Sequence, residues 1–378
     1  MVLSDNEMPA PVCLPTDPDR ATLARWLVRG WDPGRDDALD EAARDRLLDL
    51  AWSEGVRVQA CARLAAVETI PAQRRQDCQA WVRQQAAAAL GVQARLRAVL
   101  DALQQARIPV LVLKGVALGQ WLYPAPYLRE SSDVDLLLAS RDDALRAAAA
   151  LEGLGYARPH PPERFRHELA CRGSGDLLDL DLHWALSDWP VLDRLPEFDT
   201  LLAASIPLPG LGAGARGLDA PHALLHACVH RASNLAADLG DRLKWLYDLH
   251  LLAATLDRDG GWPSFLAICE QAQACGIAAE GLAATTDLFG TPVPPAVSAA
   301  LTAARTHEPL DASRLSDWRY IQKLNFRALR GWGTRLAWIG GRLLPPAGHL
   351  RALYGEDLSY PALLWQRLRK AGSRLRRG

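Results

Sequence analysis

The sequence predicts an α+β protein in which a small α/β core with a mixed β-sheet is flanked by helical regions on both sides. Long stretches rich in Ala, Leu, Arg and Gln, above all residues 79–106, have the composition and periodicity of helices. After Pro109 the character changes, and residues 110–113 form a short continuous apolar run of the kind found in buried strands. Residues 187–217 are rich in Pro and Gly, and helical patterns resume after them.

The core elements follow from local signals, taken in chain order. A buried strand at "VLVL" precedes a short helix, "VALGQWLYP", that Pro124 ends. "VDLLLA" is a second buried strand, and Ser140 caps the helix in "SRDDALRAAAALEGLGY". "RFRHELACRGSGDLLDLDLHWAL" has two strands around a "RGSGD" turn. Residues 108–186 therefore predict the order β-α-β-α-β-β, and Asp219 with Pro221 predicts the start of the next helix.

The 378 residues are enough for two or three domains, and 49% apolar with 23% charged residues is typical of a globular protein. We predict an N-terminal helical region, an α/β core, a Pro/Gly-rich connector and a C-terminal helical domain with a basic tail: residues 1–107, 108–190, 191–217 and 218–378.

The overall charge and the cysteines narrow the class of protein. A net charge of −1 gives no global field that would favour nucleic acid or a membrane. The basic tail "RLRKAGSRLRRG" is interpreted as a loose surface tail, with a phosphate- or lipid-binding arm as the alternative.

Seven cysteines without a C-x-x-C fit reduced thiols, and no apolar run approaches the ~20 residues of a membrane span. We expect a cytoplasmic protein without a signal peptide.

Carboxylates are concentrated at two of the predicted strands. Because strand side chains alternate between faces, Asp133 and Asp135 share one face of their strand. By the same rule, Asp179, Asp181 and His183 share one face of theirs. If the two strands are neighbours, three carboxylates converge at one edge of the sheet. Such a cluster repels itself and should hold a proton or a cation, and oxygen ligands suit Mg²⁺ or Mn²⁺. The alternative is a strand-entry turn with solvated carboxylates.

The order "LKG…LY…R…SDVDLLL…DLHW" resembles the nucleotidyltransferase superfamily of the polymerase-β type, in particular its bacterial stand-alone branch. The resemblance covers residues 108–186, with weaker similarity at 219–256. It implies Mg²⁺- or Mn²⁺-dependent transfer of a nucleoside monophosphate from an NTP, ATP first among them, to a hydroxyl with release of pyrophosphate. The acceptor is left open among a protein side chain, a peptide, a sugar or other small molecule, and an RNA end.

The resemblance also assigns roles to residues. Asp133 and Asp135 match the metal-binding pair. Asp181 matches the third carboxylate, which helps to deprotonate the acceptor hydroxyl, and Asp179 is the alternative for that role. Gly115 matches the glycine of the turn that approaches the triphosphate.

The chain departs from the superfamily at this turn, where Lys114-Gly115 stands in place of the usual Gly-Ser. Lys114 is expected to replace the serine as a point charge that faces the triphosphate across the cleft from the metals. Arg129 and Ser132 are further candidates for nucleotide contacts. A solvated strand-end lysine and a surface loop arginine are the structural alternatives.

The helical region after the core offers further candidates. His222, His226 and His230 are spaced to line one helical face, and H-x-x-x-H can bind zinc, although no HExxH is present and no cysteine pair stands near. Alternatively, His226 and His230 line the cleft together with His183 and Asp179, or the three histidines are partly exposed polar residues. Arg242 and Lys244 on the next helix are candidates for the triphosphate.

Two other functions stay open beside nucleotidyl transfer. One is a catalytically inactive module of the same fold that binds nucleotide or a partner protein, and the other is a phosphotransferase acting on a small molecule or modified peptide. No Ser-His-Asp order or G-x-S-x-G is present, and the glycine-rich residues 210–217 follow no buried strand, which excludes a P-loop there. The 13 tryptophans are irregularly spaced and do not alternate with basic residues, so nucleic-acid binding is not indicated.

Overall fold

The computed structural model describes residues 17–131, 133–157, 165–345, 347–354 and 358–375. Helices dominate before and after a six-stranded mixed sheet, and they cover both of its sides. The fold class predicted from the sequence is therefore confirmed.

The N-terminal region is helical, and three of its helices start with an aspartate whose side chain accepts backbone N–H groups of the first turn: Asp17, Asp32 and Asp40. The helix predicted over residues 79–106 is the C-terminal part of a longer one. From residue 17 onward, the helices of this region are α1 (Pro18–Arg29), α2 (Pro33–Asp36), α3 (Glu41–Ser53), α4 (Arg57–Leu64) and α5 (Ala72–Gln105).

The core has the predicted order β-α-β-α-β-β. Ser140 caps its second helix by accepting the Asp143 N–H, as predicted. The elements are β1 (Leu111–Val112), α6 (Lys114–Trp121), β2 (Val134–Leu137), α7 (Arg141–Leu151), β3 (Glu168–Cys171) and β4 (Leu180–His183).

The segment 191–217 also contributes to the sheet. It carries α8 (Phe198–Ala204), β5 (Ile206–Pro207) and β6 (Arg216–Gly217). The strand order is β3-β4-β2-β1-β6-β5; β2 is parallel to β4 and β1 to β6, and the remaining neighbours are antiparallel.

The two faces of the sheet pack against different helices because side chains alternate along each strand. Leu111 and Leu137 lie in a core shared with the C-terminal helices. Val112, Leu136 and Leu182 lie in a second core with α5 and α7. Asp135 alternates with Leu136, so its side chain is on the face that is turned towards the C-terminal helices.

The C-terminal region is helical throughout its described residues. Asp219 caps its first helix by accepting the His222 N–H, as predicted. Its helices are α9 (Ala220–Ala236), α10 (Leu243–Asp259), α11 (Trp262–Ala272), α12 (Cys275–Phe289), α13 (Pro295–Ala304), α14 (Trp318–Ala328), α15 (Trp332–Leu343), α16 (Ala347–Tyr354) and α17 (Tyr360–Leu375).

The N-terminal helices form a third core together with Leu243, Leu246 and Phe289 of α10 and α12. Glu54 joins the two regions, because its fully buried carboxylate accepts Arg20 Nε at 2.9 Å and the Leu243 N–H at 2.6 Å. Among the described residues, no helix is long and apolar enough to cross a membrane.

Candidate active site

A cleft of about 730 Å³, including its open mouth, lies between the end of the sheet and helices α6, α9 and α10. Its polar walls combine carboxylates, cations and histidines from distant parts of the chain. They are Lys114, Arg129, Ser131, Asp133, Asp135, His226, His230 and Asp248. The cleft therefore gathers much of the set predicted from the sequence.

Asp135 is the centre of the polar network. Its Oδ1 lies 2.7 Å from Lys114 Nζ and 2.8 Å from His183 Nε2. The Asp135 side chain is only 8% exposed, and that of Lys114 is 24% exposed. The sequence predicted that the clustered carboxylates would hold a proton or a cation, and in the structure the Lys114 ammonium lies beside Asp135.

The strand pairing explains why Lys114 reaches Asp135. The Leu113 N–H donates to the Asp135 carbonyl oxygen across β1 and β2, so the next residue, Lys114, emerges beside that carboxylate. The sequence-based expectation placed Lys114 across the cleft from the carboxylates; the structure places it on one of them.

Charge governs the ionisation of this pair. Burial alone would raise the pKa of Asp135, but the Lys114 ammonium and the hydrogen bond and charge of His183 outweigh it and hold the pKa well below its usual range. Burial would likewise lower the pKa of Lys114, and the charges of Asp135, Asp133 and Glu168 raise it instead. Both groups are therefore charged at neutral pH.

The turn after β1 is constrained by its backbone. Lys114 has φ +51°, a left-handed conformation that is uncommon for a residue with a side chain. A Cβ on Gly115 would lie 2.8 Å from Ser131 Oγ and 3.1 Å from Arg129 Nη1. A side chain at position 115 would therefore displace Ser131, because the loop before β2 packs directly against this turn.

Asp181 is the register partner of Asp135 in the parallel β2–β4 pair, so the two predicted strands are indeed neighbours. Arg172 Nη1 lies 3.2 Å from Asp181 Oδ1, but the geometry makes no hydrogen bond, and this buried oxygen has no hydrogen-bond partner among the described residues. Burial raises the pKa of Asp181; Arg172 opposes the shift and the charges of Glu168 and Asp135 add to it.

Asp179 has a different environment, as it lies just before β4. Its Oδ1 accepts the Gly173 N–H at 2.9 Å, and its carbonyl oxygen accepts the Val134 N–H. These bonds hold the β3–β4 turn and the start of β2. Neither Asp179 nor Asp181 is among the residues that line the cleft itself.

Arg129 lines the cleft, but its guanidinium forms an ion pair with a carboxylate of the chain. Its Nε and Nη2 lie 2.8 and 2.7 Å from the two carboxylate oxygens of Asp248 on α10, and Tyr123 Oη donates to the same carboxylate at 2.7 Å. Arg129 and Asp248 are both buried. This bidentate pair ties the loop before β2 to the C-terminal helices.

The histidines of α9 have separate environments. His222 Nδ1 lies 2.6 Å from Asp219 Oδ1, at the start of the helix. His226 and His230 line the cleft, and burial, followed by the charge of Lys114, lowers the pKa of His226 to about 3 and that of His230 far below its usual range. Both are therefore neutral at pH 7.

Arg242 and Lys244 are buried and are not among the residues that line the cleft. The Arg242 guanidinium and the Lys244 ammonium lie 5.5 and 5.8 Å from the ring centroid of Trp245, which does line the cleft. Ser132 lies outside the described residues.

A family model described as an uncharacterised nucleotidyltransferase matches residues 40–290 of the 378, a range that spans the sheet, the cleft and α9–α12. The chain belongs to this nucleotidyltransferase family. Comparison with curated proteins and with solved structures found no match.

Nucleotidyltransferases typically use divalent metals. The donor chemistry here fits such an ion, since Asp133, Asp135 and Asp181 are oxygen ligands and the buried Asp181 Oδ1 accepts no hydrogen bond from a described residue. In the present arrangement, however, no group of three His, Cys, Asp or Glu among the described residues could hold a metal ion. An ion bound to Asp135 Oδ1 would have to replace the Lys114 ammonium.

Sequence reasoning missed three contacts of the site. The His183–Asp135 contact could have been predicted, because the alternation in "DLDLHW" puts His183 on the same strand face as Asp181. Asp181 is the register partner of Asp135, so His183, two residues further along β4, is close to Asp135 as well. The Lys114–Asp135 pair follows from the antiparallel β1–β2 register, which the sequence does not specify. The Arg129–Asp248 pair joins residues 119 positions apart, and no local signal links them.

Proposed function

We propose that this protein transfers a nucleoside monophosphate from an NTP, with ATP as the first candidate, to a hydroxyl group of a protein, peptide or small molecule. The observation that carries the proposal is the pairing of Asp135 with Asp181, in register on parallel strands beside a polar cleft, in a chain of the nucleotidyltransferase family. In this reaction the acceptor oxygen bonds to the α-phosphorus, the bond to pyrophosphate breaks, and the hydroxyl proton leaves.

Asp181 is our candidate for the group that takes this proton. Its carboxylate is buried and its pKa is raised, which makes it a stronger base than a solvated aspartate. Lys114 would contact the phosphates once released from Asp135, and charge-assisted contacts of this type are worth ~1.5–3 kcal/mol. A Mg²⁺ or Mn²⁺ ion held by Asp133, Asp135 and Asp181 would neutralise charge on the phosphate oxygens.

The test incubates the purified protein with each α-³²P-labelled NTP and Mg²⁺ or Mn²⁺, with and without cell extract as a source of acceptors. Asp181→Asn should lower labelling by about a hundredfold or more, the usual contribution of general base catalysis. Asp179→Asn is the matched control, because asparagine keeps the oxygen that accepts the Gly173 N–H. Absence of label transfer under every condition, or equal labelling by wild type and Asp181→Asn, would refute the proposal.

One observation favours a second candidate, a module that binds nucleotide without transferring it. Asp135 Oδ1 lies 2.7 Å from Lys114 Nζ and 2.8 Å from His183 Nε2, so an ion could not bind this oxygen without displacing them. Calorimetric titration separates the two functions: a binding module would bind an NTP in the absence of divalent ions and give no labelled product.

A further inference from the structure

The C-terminal part of the chain is strongly basic, although the whole protein is nearly neutral. The chain has 43 Lys and Arg and 44 Asp and Glu, and residues 318–378 hold 13 of the former but only two of the latter, Glu356 and Asp357. This segment lies beyond the family match at residues 40–290. Its charge is therefore a local feature added to the nucleotidyltransferase core.

Helix α15 in this segment exposes an apolar stripe. Trp332, Leu336, Ile339 and Leu343 are spaced by four, three and four residues, which places them on one helical face. Trp332 is 71% exposed, Leu336 64% and Leu343 68%. Large apolar side chains that line up on a surface indicate an interaction site, whereas isolated ones do not.

The opposite face of α15 is packed, so the stripe is not a consequence of a loose helix. Trp338 is buried, with its ring centroid 5.9 Å from that of Phe326 on α14. The Arg342 guanidinium lies 3.4 Å from the Trp338 centroid, and its Nε donates to Gln322 Oε1 at 3.0 Å. The packing of Trp338 and Arg342 against α14 thus orients the helix so that the apolar stripe faces the solvent.

Helix α17 repeats this chemistry. Trp365 and Leu368 are 60% and 70% exposed, and the Arg369 guanidinium lies 5.3 Å from the Trp365 ring centroid. Tyr360 Oη donates to the Pro345 carbonyl oxygen at 3.0 Å, which ties the start of α17 to the end of α15. On α15 the Arg335 guanidinium lies 5.4 Å from the ring centroid of the exposed Trp332. Exposed tryptophan and leucine beside arginine therefore occur on two connected helices.

We propose that α15 and α17 dock this protein on the surface of an anionic lipid bilayer. Tryptophan and leucine side chains insert at the boundary between headgroups and acyl chains, while nearby Lys and Arg bind the lipid phosphates. A second copy of this chain does not fit, because two such basic surfaces repel each other. Nucleic acid would use the arginines and tryptophans but leaves Leu336, Ile339 and Leu343 without a partner, since bases stack on aromatic rings.

The test is sedimentation of the full chain with vesicles of phosphatidylcholine alone and with ~30% phosphatidylglycerol added. Binding should require the anionic lipid and weaken between low and high salt. Leu336→Ser and Leu343→Ser should each weaken binding by about tenfold, the value of one inserted leucine. Leu90→Ser on α5 is the matched control, because Leu90 is 66% exposed and lies outside the stripe; it should bind like wild type.

Three results would overturn the proposal. The first is absence of sedimentation with anionic vesicles at low salt. The second is equal loss of binding in Leu336→Ser and Leu90→Ser. The third is evidence for a different ligand of the stripe. In that case Leu336→Ser would leave vesicle binding unchanged, and would instead weaken binding to a single-stranded oligouridine or dissociate a dimer of this protein. None of these measurements depends on nucleotidyl transfer.

Discussion

Lys114→Met is expected to destabilise the fold, although Lys114 lines the open cleft. Methionine keeps most of the length and the apolar stem of the side chain, so the substitution mainly removes the charge beside Asp135. The buried carboxylate then keeps His183 as its remaining partner among the contacts described for it. An uncompensated buried charge is the reason that breaking a buried ion pair costs more than the pair itself contributes.

The expected loss in the free energy of unfolding follows from the burial of the Lys114–Asp135 pair. Removing one partner of a fully buried pair costs about 3–5 kcal/mol. Lys114 is 24% exposed and His183 stays bonded to Asp135, so we expect about 2–3 kcal/mol, or a decrease in Tm of about 3–4 °C for a chain of 378 residues. The folded pKa of Asp135 lies below its unfolded value, so this stability is present above pH ~4 and is lost as the pH falls towards the folded pKa.

Urea and thermal unfolding at pH 7 and at pH 3.5 measure both effects. Asp135→Asn should cost less in the Lys114→Met background than in wild type, because the two charges are coupled. Arg146→Met is the control, since the Arg146–Asp143 pair is on the surface and contributes little. A free energy of unfolding within ~0.5 kcal/mol of wild type for Lys114→Met would refute this account of the site.

Three further outcomes are expected. His226 has a folded pKa of about 3, so the unfolded chain gains a proton below pH ~6.5 that the folded protein does not. This residue should lower stability by ~1.4 kcal/mol per pH unit in that range, the lowered pKa of His230 adds to the fall, and the fall should be less steep in His226→Gln, as urea titrations at pH 6 and 4.5 would show. Asp248→Asn leaves the buried Arg129 without its carboxylate and should cost about 3–5 kcal/mol in the free energy of unfolding. Ser140→Ala removes the cap of α7 and should cost about 1 kcal/mol by the same assay; unchanged unfolding midpoints would contradict each of these two.

Most of the fold could be predicted because its signals are local. Ser140 and Asp219 cap the helices that they were predicted to cap, and the alternation in "LLDLDLHW" gives the buried and half-buried faces of β4. The strands in 191–217 gave no such signal, since β5 and β6 have two residues each and are formed by pairing with each other and with Val112. Two-residue strands have no periodicity to detect.

Several residues that the sequence grouped together are close in the structure, but their hydrogen bonds and ion pairs were not predicted. Parity along the strands brought Asp135 and Asp181 together, as observed. The partner of Arg129 is Asp248 on α10. The burial of Lys244 depends on packing against the N-terminal helices, where its backbone N–H donates to the Glu54 carbonyl oxygen. Such contacts depend on tertiary packing, which a single sequence does not encode in a readable pattern.

The parallel register of β2 and β4 fixes the spacing of two carboxylates of the site. Asp135 and Asp181 are opposite each other in a hydrogen-bonded ladder, so the backbone fixes their Cα atoms at the interstrand spacing of about 4.8 Å. Asp133 precedes β2 and is outside the ladder, where its carbonyl oxygen accepts Ser131 Oγ at 3.0 Å. A ligand that contacts both strand carboxylates must therefore match a spacing that the backbone ladder sets, whereas the position of Asp133 is set by the packing of the loop before β2.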